Sequence, residues 1–245
     1  MDPQRYDGKA PQFESYLPNF YQRPDAARFG RIMKFFVLRN PKAGGALAVT
    51  DFLPVERSRR GRAPQCPVCG KYVGVRPLLP PVRVELKAWG VLQWGDVAFG
   101  TGDQILVATK LTTLFSRAGL VGWARLDPVE VVKTTRRRAI SGPPPAYQLA
   151  TIERSQAALN ESASKLVRDE TPVCPECRVG GIIERIGSVV LEPNTWSGED
   201  VFYCRGIPGT ILVSERFKLL ADQHCLANVH LMPALEYSFD FLSVI

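Results

Sequence analysis

The sequence is poor in the groups that most catalytic sites use. It contains two histidines, His224 and His230, and neither lies beside a nucleophile motif. A phosphate-binding loop is missing as well, because the glycine turn at residues 100–102 is too short a signal. Asp96 and Asp200 recur at equivalent positions of a repeat described below, which favours a structural role over paired acid and base chemistry. We therefore predict that the protein is not an enzyme.

Long apolar runs are also missing. No run of about 18 consecutive apolar residues occurs, so the sequence predicts no transmembrane helix and no membrane partner. Residues 1–20 are polar and contain prolines, without the apolar centre of a secretory signal peptide. We expect a cytoplasmic protein. In that reducing compartment its six cysteines are poor candidates for disulfides, and closely spaced cysteine pairs more often bind metal.

The overall composition is that of a soluble globular protein with a basic surplus. Hydrophobic residues make up 45% of the 245 residues and charged residues 22%, and the formal net charge is +7. The surplus is concentrated in two arginine clusters beside glycine- or proline-containing segments, which indicates solvated loops before it indicates a binding surface. These clusters are Arg57, Arg59, Arg60 and Arg62, and Arg136, Arg137 and Arg138.

The most informative motifs are two Cys-Pro-x-Cys pairs. Cys66 and Cys69 form the first pair, and Cys174 and Cys177 form the second, 108 residues further along the chain (174 minus 66). Four thiolates are the ligand set of a closed tetrahedral zinc site, so we predict that all four bind one structural zinc ion and join two distant parts of the chain. Free structural cysteines, degenerate sites and a thioredoxin-like redox pair are the alternatives.

The two pairs differ at the residue that follows the second cysteine. A glycine is favoured there because the turn requires a positive φ, and the first pair has Gly70. Arg178 occupies this position in the second pair. The sequence therefore predicts either about 1 kcal/mol of backbone strain or a different turn shape at Arg178.

The second half of the chain resembles the first. With an offset of 106, residues 105–114 align with residues 211–220, and Asp96-Val97 corresponds to Asp200-Val201 at an offset of 104. The patterns predict strands at 33–38, 82–87, 129–132 and 229–232, a helix over 106–118 that ends at Gly119, and a helix capped by Ser214. We interpret this as a duplicated unit and predict an α+β fold of two pseudo-repeated halves, each with strands and one helix, bridged by the four cysteines.

This interpretation divides the chain into four parts. Residues 1–32 are expected to be a loosely ordered extension, and residues 33–142 to be the first α+β repeat. Residues 143–170 begin with three prolines and carry a weak helical stripe, so we predict a linker followed by a polar helix. Residues 171–245 are expected to be the second repeat.

Together these motifs resemble a known family. Two Cys-Pro-x-Cys pairs about a hundred residues apart, a glycine after the first pair, and the closing segments 200–202 and 211–218 are similar to the double-CXXCG motif immunity proteins of bacterial swarming-inhibition toxin systems. The resemblance covers residues 33–245. It implies a cytosolic antidote that binds and blocks a cognate contact-delivered toxin protein. Arg178 departs from the second CXXCG motif, and the resemblance assigns no toxin-contacting residues.

A zinc-ribbon-like protein that binds nucleic acid is the alternative function. The net charge of +7 and the two arginine clusters favour it, since basic patches attract phosphate backbones. No base-recognition motif accompanies them. Nucleic acid therefore remains the second candidate partner after a protein toxin.

Overall fold

The structure is a computed structural model that describes residues 33–40, 49–56, 59–136, 140 and 142–240. The predicted extension at 1–32 lies outside these residues, as do Arg57, Arg137 and Arg138 of the arginine clusters. From Met33 onward, the described residues belong to one compact unit. The predicted boundaries at 142 and 170 therefore fall inside a continuous fold.

Strands dominate the described residues, which contain two α-helices. The strands are β1 (Phe35–Arg39), β2 (Val49–Pro54), β3 (Val82–Trp89), β4 (Val97–Phe99), β5 (Ile105–Ala108), β6 (Trp123–Arg136), β7 (Tyr147–Ala158), β8 (Val167–Arg168), β9 (Ile183–Ile186), β10 (Val201–Arg205), β11 (Ile211–Ser214), β12 (His230–Pro233) and β13 (Phe239–Asp240). The helices are α1 (Thr109–Arg117) and α2 (Glu215–Gln223), and a short 3-10 helix spans Ala234–Glu236. This mixed class of strands and helices confirms the coarse prediction.

Ten strands form one sheet in the order β12-β1-β11-β10-β7-β5-β4-β2-β3-β6, and β6 also pairs with β7. The extra pairing closes β7, β5, β4, β2, β3 and β6 into a ring. Side chains that alternate along these strands fill the interior of the ring, among them Phe52, Val84, Leu86, Leu106 and Leu149. The strands β8, β9 and β13 form a separate small sheet.

The same alternation builds a second core between the ring and the two helices. Val97 and Val107 from the ring face the same cluster as Val201 and Val213 from β10 and β11. The helices add apolar faces to this cluster, and the rings of Phe115 and Phe217 meet edge to face at 6.3 Å between their centroids. This core therefore holds both ends of the sheet and both helices together.

Strands β1 and β7 each pair with the strand that directly precedes a helix. Strand β1 pairs with β11 and β12, near the end of the chain. Strand β7 pairs in the same antiparallel sense with β5 and β6, which precede it. Phe35 lies opposite Ser214, and Tyr147 lies opposite Ala108, so the two partner positions are 106 residues apart (214 minus 108).

Two buried aspartates form the same kind of contact with distant backbone groups. Asp96 donates its backbone N–H to the carbonyl of Ala227 at 2.8 Å, and its carboxylate accepts the N–H of Ala227 at 2.8 Å. Asp200 makes the same two contacts with Val121, at 2.7 and 3.1 Å. Ala227 follows α2 and Val121 follows α1. Each aspartate therefore satisfies backbone groups just beyond the opposite helix.

A cation stands beside each aspartate at corresponding positions. The Lys110 ammonium lies 3.4 Å from the Asp96 carboxylate and 3.5 Å from the carbonyl of His224. The Arg216 guanidinium lies 3.2 Å from the Asp200 carboxylate and donates to the carbonyl of Ala118 at 3.2 Å. Each cation thus pairs with a buried carboxylate and donates to a carbonyl at the end of the other helix.

The helix termini follow the predicted signals. The Ser214 hydroxyl accepts the N–H of Phe217 and so caps α2, as predicted. Gly119 has a φ of +62° just after α1, as its position predicts. The corresponding residue after α2 is Cys225, which has a φ of +45° although it carries a side chain. The turn after α2 is therefore strained where the turn after α1 is not.

The predicted polar helix within residues 143–170 is wrong. Residues Tyr147–Ala158 form β7 instead, between β5 and β10. Ile152, a member of the weak helical stripe, is buried in this strand, whereas Glu153, Arg154 and Gln156 are exposed. The buried positions along β7 do not alternate regularly, so the strand lacks the strict period of two that would have identified it.

The first predicted helix begins too early. Residues 105–108 form β5, and α1 begins only at Thr109. All four residues of β5 are buried. A short, continuous apolar run does not distinguish a buried strand from a helical turn by its period, which explains the error. The predicted strands at 33–38, 82–87, 129–132 and 229–232 correspond to β1, β3, β6 and β12.

The strain at Cys225 leads to a stability prediction. We expect Cys225→Gly to raise the free energy of unfolding by roughly 0.5–1 kcal/mol, because relief of the left-handed backbone outweighs the added entropy of the unfolded chain. Urea denaturation measures the change. Cys225→Ser keeps the strain and should lie within about 0.5 kcal/mol of the wild type.

Gly119→Ala is the converse variant. A Cβ at Gly119 meets nothing within 4 Å, so the only expected cost is the backbone conformation, about 1 kcal/mol.

A Cys225→Gly protein that is no more stable than Cys225→Ser would show that the backbone at 225 carries no strain.

Candidate metal centre

Two loops bring the four cysteines together. Cys66 and Cys69 lie in the segment between β2 and β3, and Cys174 and Cys177 lie in the segment between β8 and β9. Both pairs form the same turn, since the residue after the second cysteine donates its N–H to the carbonyl of the first. This bond is 2.9 Å from Gly70 to Cys66 and 3.0 Å from Arg178 to Cys174.

The four sulfur atoms lie within 4.8 Å of one another. Cys66 Sγ is 3.8 Å from Cys174 Sγ, and Cys69 Sγ is 3.6 Å from Cys177 Sγ. In a tetrahedral site with zinc–sulfur bonds of about 2.3 Å, the sulfur atoms stand about 3.8 Å apart. The cluster of Cys66, Cys69, Cys174 and Cys177, called the four-cysteine cluster below, therefore has the dimensions of a tetrahedral thiolate site and can hold a metal ion.

The sulfur environments are unequal. Cys66, Cys174 and Cys177 are buried, whereas Cys69 is exposed. The backbone N–H groups of Cys69 and Val68 point at the sulfur of Cys66 and lower the pKa of its thiol to about 7. Burial raises the pKa of the Cys177 thiol to about 12. Cys66 thus supplies a stabilised thiolate, and a bound cation would have to offset the desolvation of Cys177.

Arg178 takes up the glycine conformation that the turn requires. Its φ is +54°, close to the +72° of Gly70, so the second turn has the shape of the first and carries the predicted strain. Two hydrogen bonds of 2.6 and 3.0 Å join its guanidinium to both carboxylate oxygens of Glu192. A further bond of 3.3 Å reaches the carbonyl of Leu159. The side chain therefore anchors the strained turn to the segments that carry Leu159 and Glu192.

Glu192 is the supporting residue that the sequence motif does not indicate. The bidentate pair with Arg178 lowers the pKa of the Glu192 carboxyl and keeps it charged. The arginine in place of the motif glycine was the signal in the sequence that could have indicated such a residue, since it implies a partner that fixes the turn. The backbone contacts of Asp96 and Asp200 were likewise indicated in the sequence only by the recurrence of these two residues.

The remaining cysteines and the histidines lie outside the cluster. Cys204 is buried in β10 and Cys225 is exposed after α2. Burial lowers the pKa of His230 in the edge strand β12. Among the residues the structure describes, the four-cysteine cluster is the one group of three or more histidine, cysteine or acidic side chains placed to share a metal ion.

A set of four thiolates has a defined chemical capability. Four protein ligands fill a tetrahedral coordination sphere and leave no position for water or substrate, which is the arrangement of structural metal sites. Such a site can tie the two cysteine-bearing loops together. It offers no Lewis-acid position for catalysis.

A scan against protein-family models finds no match to this chain, and a comparison with curated proteins finds no similar sequence. The resemblance to double-CXXCG immunity proteins therefore stays a prediction from the motifs. No helix in the described part of the chain has the length and apolar character needed to cross a membrane.

Purified protein should carry one metal ion per chain. We expect Cys174→Ser to lose the ion, because it removes a buried ligand, and to lower the Tm by about 10 °C, since removal of a metal link costs several kcal/mol and each corresponds to roughly 2–4 °C in a domain of this size. Elemental analysis and differential scanning fluorimetry measure both. Cys225→Ser, outside the cluster, is the matched control, and equal metal content in both variants would contradict the site.

Arg178 allows a separate test of the second turn. We expect Arg178→Ala to be less stable than Arg178→Gly by roughly 1 kcal/mol, because alanine keeps the left-handed strain that glycine does not have. Both variants lose the bond to Glu192, so their difference isolates the backbone. Glu192→Gln tests the ion pair by itself and should weaken metal retention without touching a ligand. Chelator competition measures that retention.

Proposed function

We propose that the protein is an immunity protein that binds a cognate contact-delivered bacterial toxin in the cytoplasm and blocks it without chemistry of its own. The observation that carries this proposal is the four-cysteine cluster, in which two Cys-Pro-x-Cys loops from distant parts of the chain meet. This is the motif pair through which the sequence resembles double-CXXCG immunity proteins. An inhibitor of this kind needs a stable complementary surface of about 800 Å².

The bound metal in this proposal is zinc. Sulfur-only ligation at tetrahedral spacing suits zinc better than the oxygen-preferring magnesium or calcium. Zinc has no redox chemistry of its own and no geometric preference of its own, so the protein ligands set the coordination geometry. Both properties suit a structural link. The ion would hold residues 66–69 against residues 174–177 and so stabilise the surface that surrounds them.

The two halves in this proposal are copies of one unit that exchange their first strands. Support comes from the offset of 106 that relates Val121 to Ala227 (227 minus 121) and Lys110 to Arg216 (216 minus 110), in contacts of the same kind. Strand β7 then belongs to the second copy, as β1 belongs to the first. Because each copy completes the other, the pair behaves as one rigid body, which limits the entropy lost when a partner binds.

The basic charge favours an acidic toxin surface. A net charge of +7 increases the association rate with an acidic partner and makes that rate fall with ionic strength. One arginine of the first cluster, Arg60, forms a hydrogen bond within the protein, however. Arg60 donates to the carbonyl of Arg76 at 3.1 Å, and Arg76 donates to the carbonyl of Gly61 at 3.0 Å. This local use gives the nucleic-acid alternative less support than the composition did.

Co-expression tests the proposal. An antidote gene should adjoin a toxin gene, so we expect this protein to restore growth when it is produced together with the toxic product of the neighbouring gene. The two proteins should also purify as a complex, because inhibition without chemistry requires occupancy of the toxin. Growth curves and size-exclusion chromatography measure both effects.

Matched variants make the test specific. Cys174→Ser should rescue growth less than the wild type at equal expression, whereas Cys225→Ser should rescue fully. Failure of the wild type to rescue, together with micromolar binding of generic DNA or RNA that weakens steeply with salt, would favour the nucleic-acid-binding alternative.

A further inference from the structure

We propose that Cys69 is an oxidation site and that hydrogen peroxide converts the four-cysteine cluster into a disulfide between Cys69 and Cys177. This inference rests on the geometry of the cluster and is independent of the toxin partner. It assigns a modification site and a second form of the link between the two loops.

Accessibility selects the first sulfur. Cys69 is the exposed member of the cluster, and the other three cysteines are buried. It lies at the tip of the first turn, where Pro67, Val68 and Gly70 are exposed as well. Oxidation of thiolates depends on exposure and on thiolate character, and coordination to a metal keeps a cysteine in the thiolate form. Peroxide therefore reaches Cys69 before it reaches its neighbours.

Distance selects the second sulfur. The Sγ atoms of Cys69 and Cys177 are 3.6 Å apart, so formation of a bond of about 2.05 Å requires a small approach of two loops that already touch. Cys66 and Cys174 form the corresponding contact at 3.8 Å and are both buried. Both of these sulfur contacts run across the two loops, so a disulfide at either one links the loops that the metal links.

The chemistry balances in two steps. The Cys69 thiolate attacks one peroxide oxygen; a sulfur–oxygen bond forms, the oxygen–oxygen bond breaks, and the departing hydroxide takes a proton to become water. The Cys177 thiolate then attacks the sulfur of the resulting sulfenic acid; the disulfide forms and the second hydroxide leaves as water after taking a proton. Two thiols are oxidised and one peroxide is reduced to two waters.

Loss of two ligands has a defined consequence for the site. A metal ion that keeps only Cys66 and Cys174 is bound far more weakly, so it should leave as the disulfide forms. The new covalent bond closes the same long stretch of chain, from residue 69 to residue 177. The two loops therefore stay joined in the oxidised, metal-free protein.

The tryptic map of this chain distinguishes a cross-loop disulfide from a local one. Cleavage after Arg62, Lys71, Arg168 and Arg178 places Cys66 and Cys69 together in one peptide, residues 63–71, and Cys174 and Cys177 together in another, residues 169–178. A disulfide between Cys69 and Cys177 joins these two peptides. A disulfide within either pair leaves them separate.

The experiment uses full-length metal-loaded protein with Cys225→Ser, which removes the other exposed thiol. Graded hydrogen peroxide is followed by alkylation, non-reducing digestion, mass spectrometry and a colorimetric assay of released metal. We expect the linked peptides to appear in equal amount with the released metal, fragmentation to place the bond at Cys69 and Cys177, and dithiothreitol to reverse it. The oxidised protein should also melt above the reduced protein treated with chelator.

Three results would overturn the inference. The first is recovery of separate peptides, each lighter by the two hydrogens of a local disulfide. The second is a cross-link between Cys66 and Cys174 in place of Cys69 and Cys177. The third is an intact cluster at peroxide doses that fully oxidise Cys225 in the wild-type protein, because that cysteine is exposed and lies outside the cluster.

Discussion

The fold depends on two buried carboxylates, each of which binds the backbone beyond the opposite helix. Asp200 is fully buried and Asp96 nearly so, and each accepts the backbone N–H of a residue beyond the opposite helix. Burial raises the pKa of the Asp200 carboxyl, while the Ser214 hydroxyl, the Val121 amide and Arg216 oppose that rise. A buried carboxylate without these partners would cost several kcal/mol. The contacts of Asp96 with Ala227 and of Asp200 with Val121 are therefore costly to break while both carboxylates remain buried.

The aspartate contacts and the four-cysteine cluster join distant segments of the chain by different physics. The aspartates fix orientation, because a carboxylate that serves two amides tolerates little displacement. The four-cysteine cluster fixes proximity in a region where few apolar side chains are buried, since only Val73 and Val179 pack against the sulfurs. A metal ion bound at this cluster would supply the cross-link that so small a core favours.

Sequence patterns located the parts that depend on local chemistry. The cysteine spacing identified all four members of the cluster, and Ser214 and Gly119 marked helix ends, because each of these residues acts through its own side chain or backbone. The role of β7 was not predictable, since its buried positions do not alternate regularly along the strand. Glu192 was missed for a similar reason: its importance comes from Arg178, which is 14 residues away in sequence.

The pairing of β1 with β11 and β12 has a consequence for synthesis on the ribosome. Strand β1 finds its neighbours only after residues 211–233 have left the exit tunnel, so that end of the sheet cannot assemble before they emerge. Non-local strand pairing of this kind slows folding and leaves an unpaired apolar strand waiting meanwhile. The non-local pairing of β1 thus delays completion of that end of the sheet until β11 and β12 have been synthesised.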